Sequence, residues 1–157
     1  MYTIDRHDTV EVLTDLPMPS GGAPMPLLLA DDTGLVLAYR VTPLGEDVAI
    51  VEFDGVTAHC FGAPNSDALF GHPLFARGLR ADHIYEVRNS SWIRALERLN
   101  RVHPNHHPSL FSRCRHFIFP FQDTTFECIA DGIRKVTQMT YVDRPSLLEE
   151  MRRRLYV

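Results

Sequence analysis

RCRHFIFPFQDTTFECIADG, residues 113–132, is the stretch whose reading decides the fold. Phe117, Phe119 and Phe121 alternate with His116, Ile118 and Pro120. A period of two is the mark of a strand with two different faces. After Gln122-Asp123-Thr124 the chain resumes as TFECIAD, residues 125–131. Asp is at home in a turn because its carboxylate accepts from nearby backbone amides. A two-residue turn at Asp123-Thr124 predicts Phe121 opposite Phe126, Phe119 opposite Cys128 and Phe117 opposite Ala130, an apolar core face. The other face then carries Pro120 against Glu127, Ile118 against Ile129 and His116 against Asp131. A slip of one residue would mix Phe with Glu on each face, so the pattern specifies which side is core.

On the polar face of that hairpin, His116 across from Asp131 forms a charge-assisted pair, with Glu127 nearby. The same three groups can be read as a half-exposed sheet face or as an acid/base site. In the acid/base reading His116 is the base, Asp131 orients it, and Glu127 or Glu86 is the acid.

Outward from the hairpin, the order of elements is rich in strands. TVEVLT (residues 9–14) alternates and predicts a first strand. Residues 15–26, DLPMPSGGAPMP, hold four prolines and two glycines, which exclude regular structure and predict a surface loop or a partner-binding arm. Residues 27–30 and 35–41 flank Asp31-Asp32-Thr33-Gly34 and predict a hairpin; Pro43 to Glu46 predicts a further turn. Residues 47–53 and 56–61 surround Asp54-Gly55, the strongest local hairpin signal in the chain. It predicts Phe53 opposite Val56, Val51 opposite Ala58 and Ala49 opposite Cys60. Residues 83–88 predict another strand, and 133–142 favour one through Val136, Thr137, Thr140 and Tyr141.

Two helices are expected. Asn89-Ser90-Ser91 supplies capping oxygens for a helix running to about Val102, with Trp92, Ile93, Leu96, Leu99 and Val102 as its apolar stripe. A second opens near Asp143-Arg144-Pro145-Ser146, where Ser146 and Glu149 have capping-box spacing. Glu149 with Arg153 and Glu150 with Arg154 are i,i+4 pairs. Residues 62–80 predict a long ordered loop with a short helix near 66–70, its leucines and phenylalanines packing down on the body. His72, before Pro73, reads as structural.

The fold class expected is α+β: a mainly antiparallel, hairpin-rich, bent sheet or partly open barrel with two helices packed on one face, forming a single globular domain over residues 1–157. With 157 residues and 45% hydrophobic content the chain can bury a proper core. A net charge of −4 and the lack of a basic face speak against nucleic acid as a partner. No apolar run approaches spanning length, and the first residues, MYTIDRHDTVEV, lack the apolar core of a signal peptide, so the expected location is cytoplasmic and no membrane partner is expected. Cys60, Cys114 and Cys128 have no metal or redox spacing and read as free thiols. His103, His106 and His107 crowd one Pro-bounded loop, a set that suits a divalent transition metal but lacks a fourth ligand. No cofactor fingerprint, nucleophile elbow or zinc-protease motif is present.

The function expected is therefore that of a small cytosolic binding or protein-interaction module without catalysis. Its contact surfaces would be the 15–26 and 62–80 loops, its partner a protein or a small-molecule ligand, and a homodimer is compatible with this. The alternatives are a small-molecule hydrolase or isomerase using His116, Asp131, Glu127 and Glu86, and a metal-binding protein using the 103–107 histidines.

Overall fold

The computed structural model describes residues 2–41 and 46–156. The elements, in chain order, are β1 (Thr9–Leu13), β2 (Leu27–Ala30), β3 (Leu35–Arg40), β4 (Asp47–Asp54), β5 (Ala58–Gly62), β6 (Ile84–Arg88), α1 (Ser91–Asn100), β7 (Arg115–Pro120), β8 (Thr125–Ala130), β9 (Gly132–Thr140) and α2 (Arg144–Leu155). Short 3-10 helices occupy Ser66–Gly71, Pro73–Arg77 and Pro108–Phe111. The strands form two antiparallel sheets, ordered β1-β6-β7-β8-β5 and β2-β3-β4-β9. They do not close into a barrel; the chain is α+β, as its hairpin-rich pattern predicts.

The two sheets share one core. Phe117, Phe119, Phe121, Phe126 and Cys128 from one meet Leu35, Leu37, Tyr39, Val51 and Phe53 from the other. Phe53 packs tilted at 5.8 Å from both Phe117 and Phe126, and Phe119 stacks on Phe121. The face assignment read from the Phe alternation is therefore the one adopted.

The pairing within that hairpin differs from the expected one by two residues. Phe119 pairs with Phe126, Phe117 with Cys128 and His116 with Ile129. The Phe121 amide donates to the Thr124 carbonyl at 2.7 Å, so the tip is Gln122-Asp123 rather than Asp123-Thr124. A two-residue change of register keeps every side chain on its face. Burying a phenyl side contributes roughly 1.5–3 kcal/mol, whereas one cross-strand pair contributes only about 0.2–1 kcal/mol. The sequence therefore specifies the face strongly and the partner weakly.

The Asp54-Gly55 signal is also spent differently from the expected hairpin. Gly55 does take a positive φ of 58°. However, β4 pairs with β3 and β9, and β5 pairs with β8. Both edges of β4 are occupied, so the glycine turns a corner from one sheet to the other instead of reversing the chain. The partner segment turns at the same place, between β8 and β9, where the Asp131 amide donates to the Asp54 carbonyl at 2.8 Å. Residues 47–62 and 125–140 thus run together across both sheets.

The helices, expected on one face, are divided between the two outer faces. Leu147, Met151 and Leu155 of α2 bury against Val36, Ala38, Val48 and Ile50. Trp92 of α1 packs edge-on to His116 of β7, on the outside of the five-stranded sheet. Residues 62–80 cover that same side, with Leu69, Leu74 and Leu79 buried against Tyr85, Val87 and Ile118. The apolar stripe of α1 is wet at its end: Leu99 is 73% and Val102 90% exposed. Asp143, not Ser146, caps α2, accepting from the Ser146 amide at 2.7 Å. The hairpin at 31–34 forms as expected, with Asp31 Oδ1 accepting from Thr33 and Gly34. Of the turn expected at Pro43–Glu46, only Glu46 lies within the described residues.

Candidate functional site

The side of the five-stranded sheet facing away from the shared core carries a polar cluster around Glu127, buried at its centre. Glu127 points outward because Phe126 and Cys128, its neighbours, point into the core. One strand over, His116 projects to the same side. His116 Nε2 lies 3.0 Å from Glu127 Oε2. Tyr2 donates its hydroxyl to that oxygen at 2.8 Å. The other oxygen, Oε1, lies 2.9 Å from His72 Nε2 and 3.9 Å from the Cys60 thiol.

Local structure sets each ring. His72 precedes Pro73, and its Nδ1 accepts from the Leu74 amide at 3.1 Å, capping the following 3-10 helix. Its proton therefore belongs on Nε2, where it donates to Glu127. Ser90 caps α1, its Oγ accepting from the Ile93 amide, and lies 2.9 Å from His116 Nδ1. The aromatic rings close the lid: Tyr2 stacks on Trp92 at 5.2 Å, and both meet His116 edge-on. His116 is 0% and Glu127 3% exposed.

The electrostatics follow from that enclosure. Burial raises the Glu127 carboxyl, but the hydrogen bonds from His116 and His72 outweigh it and hold the group at about 2. Burial, then the Glu127 carboxylate, push the Tyr2 phenol far up. Burial and the same carboxylate raise the Cys60 thiol to about 11. Burial likewise raises Cys128 and Cys114. All three cysteines are free, and none is poised as a thiolate nucleophile.

The sequence-derived constellation is thus only half assembled. His116 and Glu127 meet. Asp131 does not join them; it pairs with Arg113 at 2.8 Å, beside the Gly55 corner. The two-residue register change removed it from opposite His116. Glu86 sits opposite Phe117, on the core face, where it pairs with Arg88 and Arg115. His72, Tyr2 and Ser90 complete the cluster in their place. Ser90 was legible as a cap and His72 as a structural residue, but nothing local points Tyr2 at a residue 125 positions away.

The loop histidines are separately engaged. His106 meets Glu97 and Asn100, His103 Nδ1 accepts from the Asn105 amide, and His107 caps Pro108–Phe111. Among the described residues no three His, Cys, Asp or Glu side chains converge as a metal site.

Among the clefts formed by the described residues are two lined by arginines. One, of about 410 Å³, is walled by Ser90 and by Arg88, Arg94, Arg113 and Arg115. Each of these arginines is already paired with a carboxylate. The second, of about 170 Å³, lies where the end of the Pro-rich loop meets β3, β4 and the start of α2. That loop is pinned rather than loose: the Ser20 amide donates to the Arg40 carbonyl, the Arg40 amide to Pro24, and the Tyr39 hydroxyl to Pro17. Among the described residues no helix is long and apolar enough to cross a membrane.

No family model, characterised protein or solved structure matches this chain.

Proposed function

We propose that this chain is a binding or protein-interaction module without a catalytic centre, working in the cytoplasm. The enclosure of His116 and Glu127 carries the reading. An acid or base must come within hydrogen-bond reach of its substrate, and both groups are spent on each other, on Tyr2, His72 and Ser90. Every polar atom of the cluster that a reaction would use is already satisfied. Such a network fixes distant segments of the chain to one another. The free thiols support a reducing compartment. The pinned Pro-rich loop with its adjoining cleft supplies a surface for a ligand, and exposed Leu99, Val102 and Leu110 supply one for self-association. A fragment mixture titrated into ¹⁵N-labelled protein tests this. Shifts confined to surface residues, with no turnover of any fragment, are the expected result; the absence of any shift counts against it.

One arrangement favours the hydrolase alternative. Ser90, His116 and Glu127 form a hydrogen-bonded chain in that order, at 2.9 and 3.0 Å, and Ser90 borders the arginine cleft. Asn89, just before it, holds a φ of 52°. A fluorophosphonate probe separates the readings. No adduct is expected on Ser90; an adduct that disappears in Glu127→Gln would establish the hydrolase.

A further inference from the structure

We infer that the cleft at the end of the Pro-rich loop is a binding site for a small amphipathic carboxylate, one negative charge on an apolar body of about one ring. The inference rests on the binding-module reading and gives it a place and a ligand class.

Three observations converge there. First, the cleft carries two arginines, Arg40 and Arg144, and neither has a carboxylate partner among the described residues. This separates it from the arginine cleft beside Ser90, where any incoming anion must displace an internal one. Arg40 lies over the ring of Tyr141, its carbon 4.3 Å from the ring centroid. The stacking holds the guanidinium plane in place, and among the described residues no carboxylate takes its edge donors, which suit a planar, two-oxygen acceptor.

Second, the floor is apolar. Leu27, Val48 and Leu147 line it. At about 170 Å³ the space is close to the roughly 150 Å³ that accommodates a benzene-sized body. A bare inorganic anion would leave that floor wet, and a neutral ring would leave both cations unanswered. A ring or branched chain bearing a carboxylate satisfies both halves.

Third, the rim is strained where the ligand would enter. Met25 borders the cleft, is 56% exposed and holds a φ of 41°, a conformation that a non-glycine residue rarely adopts. Such residues persist where the surroundings over-determine them, and they gather at ligand clamps. Here the hydrogen bonds of Ser20 and Pro24 to β3 fix the chain on which Met25 sits. A flexible thioether at the mouth adapts to ligands of differing outline.

The experiment is a ¹⁵N–¹H titration of the whole chain with sodium benzoate, benzamide and inorganic phosphate. Benzoate is expected to shift the amides of Leu27, Arg40, Tyr141 and Leu147. Benzamide and phosphate should each bind at least 10-fold more weakly. Arg144→Gln changes an exposed side chain at the start of α2, so the fold is retained, and it should weaken benzoate at least 10-fold; Arg40→Gln should do the same. Equal binding of benzoate and benzamide, or unchanged affinity in both variants, would overturn the ligand class. Benzoate shifts centred elsewhere would overturn the site while leaving the binding-module reading in place. That reading falls separately, if no fragment of any charge perturbs the surface.

Discussion

Glu127 is the residue on which the outer face turns. Its carboxyl sits near 2 in the folded chain, against an ordinary value of 4.5. The sign follows: a depressed carboxyl stabilises the folded state fully above about pH 4.5, and that contribution disappears as pH falls toward 2. It amounts to roughly 3 kcal/mol. Urea unfolding between pH 2.5 and 6 should show this slope in the wild type and a flatter one in Glu127→Gln. At neutral pH the same substitution should cost roughly 3–5 kcal/mol, because an amide nitrogen would face a histidine donor inside the protein. Ser90→Ala removes both a helix cap and a partner of His116, and should cost about 1–2 kcal/mol in the same assay. Of this cluster, His116 and Glu127 were legible in the sequence, since strand alternation alone puts them on one face. Asp131 was misplaced because a two-residue register change costs nothing in face assignment. Tyr2 was illegible because its contact is made by tertiary packing of the N-terminal segment, which no local pattern encodes.

At the scale of elements, the sheet corner is the feature that local signals misread. Asp-Gly demands a positive φ, and Gly55 provides it, but a turn signal does not say whether the chain reverses or changes sheet. Long-range pairing decides, and β4 already has a neighbour on each edge. Gly55→Ala should lower stability by about 1–3 kcal/mol, since a side chain there is strained and its Cβ would lie 2.7 Å from the Asp131 carboxyl. Adding Asp131→Ala should recover part of the loss, the part owed to the clash, and thermal melts of the single and double variants separate the two. The α2 cap gives a second test. Asp143→Ala should cost about 1 kcal/mol, whereas Ser146→Ala, whose side chain does not hold the cap, should stay within about 0.5 kcal/mol. Most strands and both helices were legible because their apolar spacing is dense, whereas 62–80, broken by prolines and glycines, showed only that its apolar residues pack down, and 133–142 only leaned toward a strand. The division of the helices between opposite faces was not, because amphipathicity reports that a helix has a buried side and not which sheet lies under it.

At the scale of the whole molecule, two sheets share one core, and the second face of each is covered by different parts of the chain. Glu127 ties together residues 2, 60, 72 and 116, so the N-terminal segment, β5, the 62–80 cover and the hairpin are held at one point. Tyr2→Phe keeps the ring stacked on Trp92 but removes one donor to that carboxylate, and should cost about 1.5–3 kcal/mol, read by chemical denaturation. His72, His116 and Glu127 are closed to solvent and fasten these segments together. Diethyl pyrocarbonate modification of the native protein, resolved by peptide mass spectrometry, tests that closure directly. His7, His59, His83, His103 and His107 are exposed and His72 and His116 are buried. The exposed five should be modified rapidly, with His72 and His116 protected. Modification of His116 at the rate of the exposed rings would contradict that closure, placing the cluster in contact with solvent as an acid/base site requires.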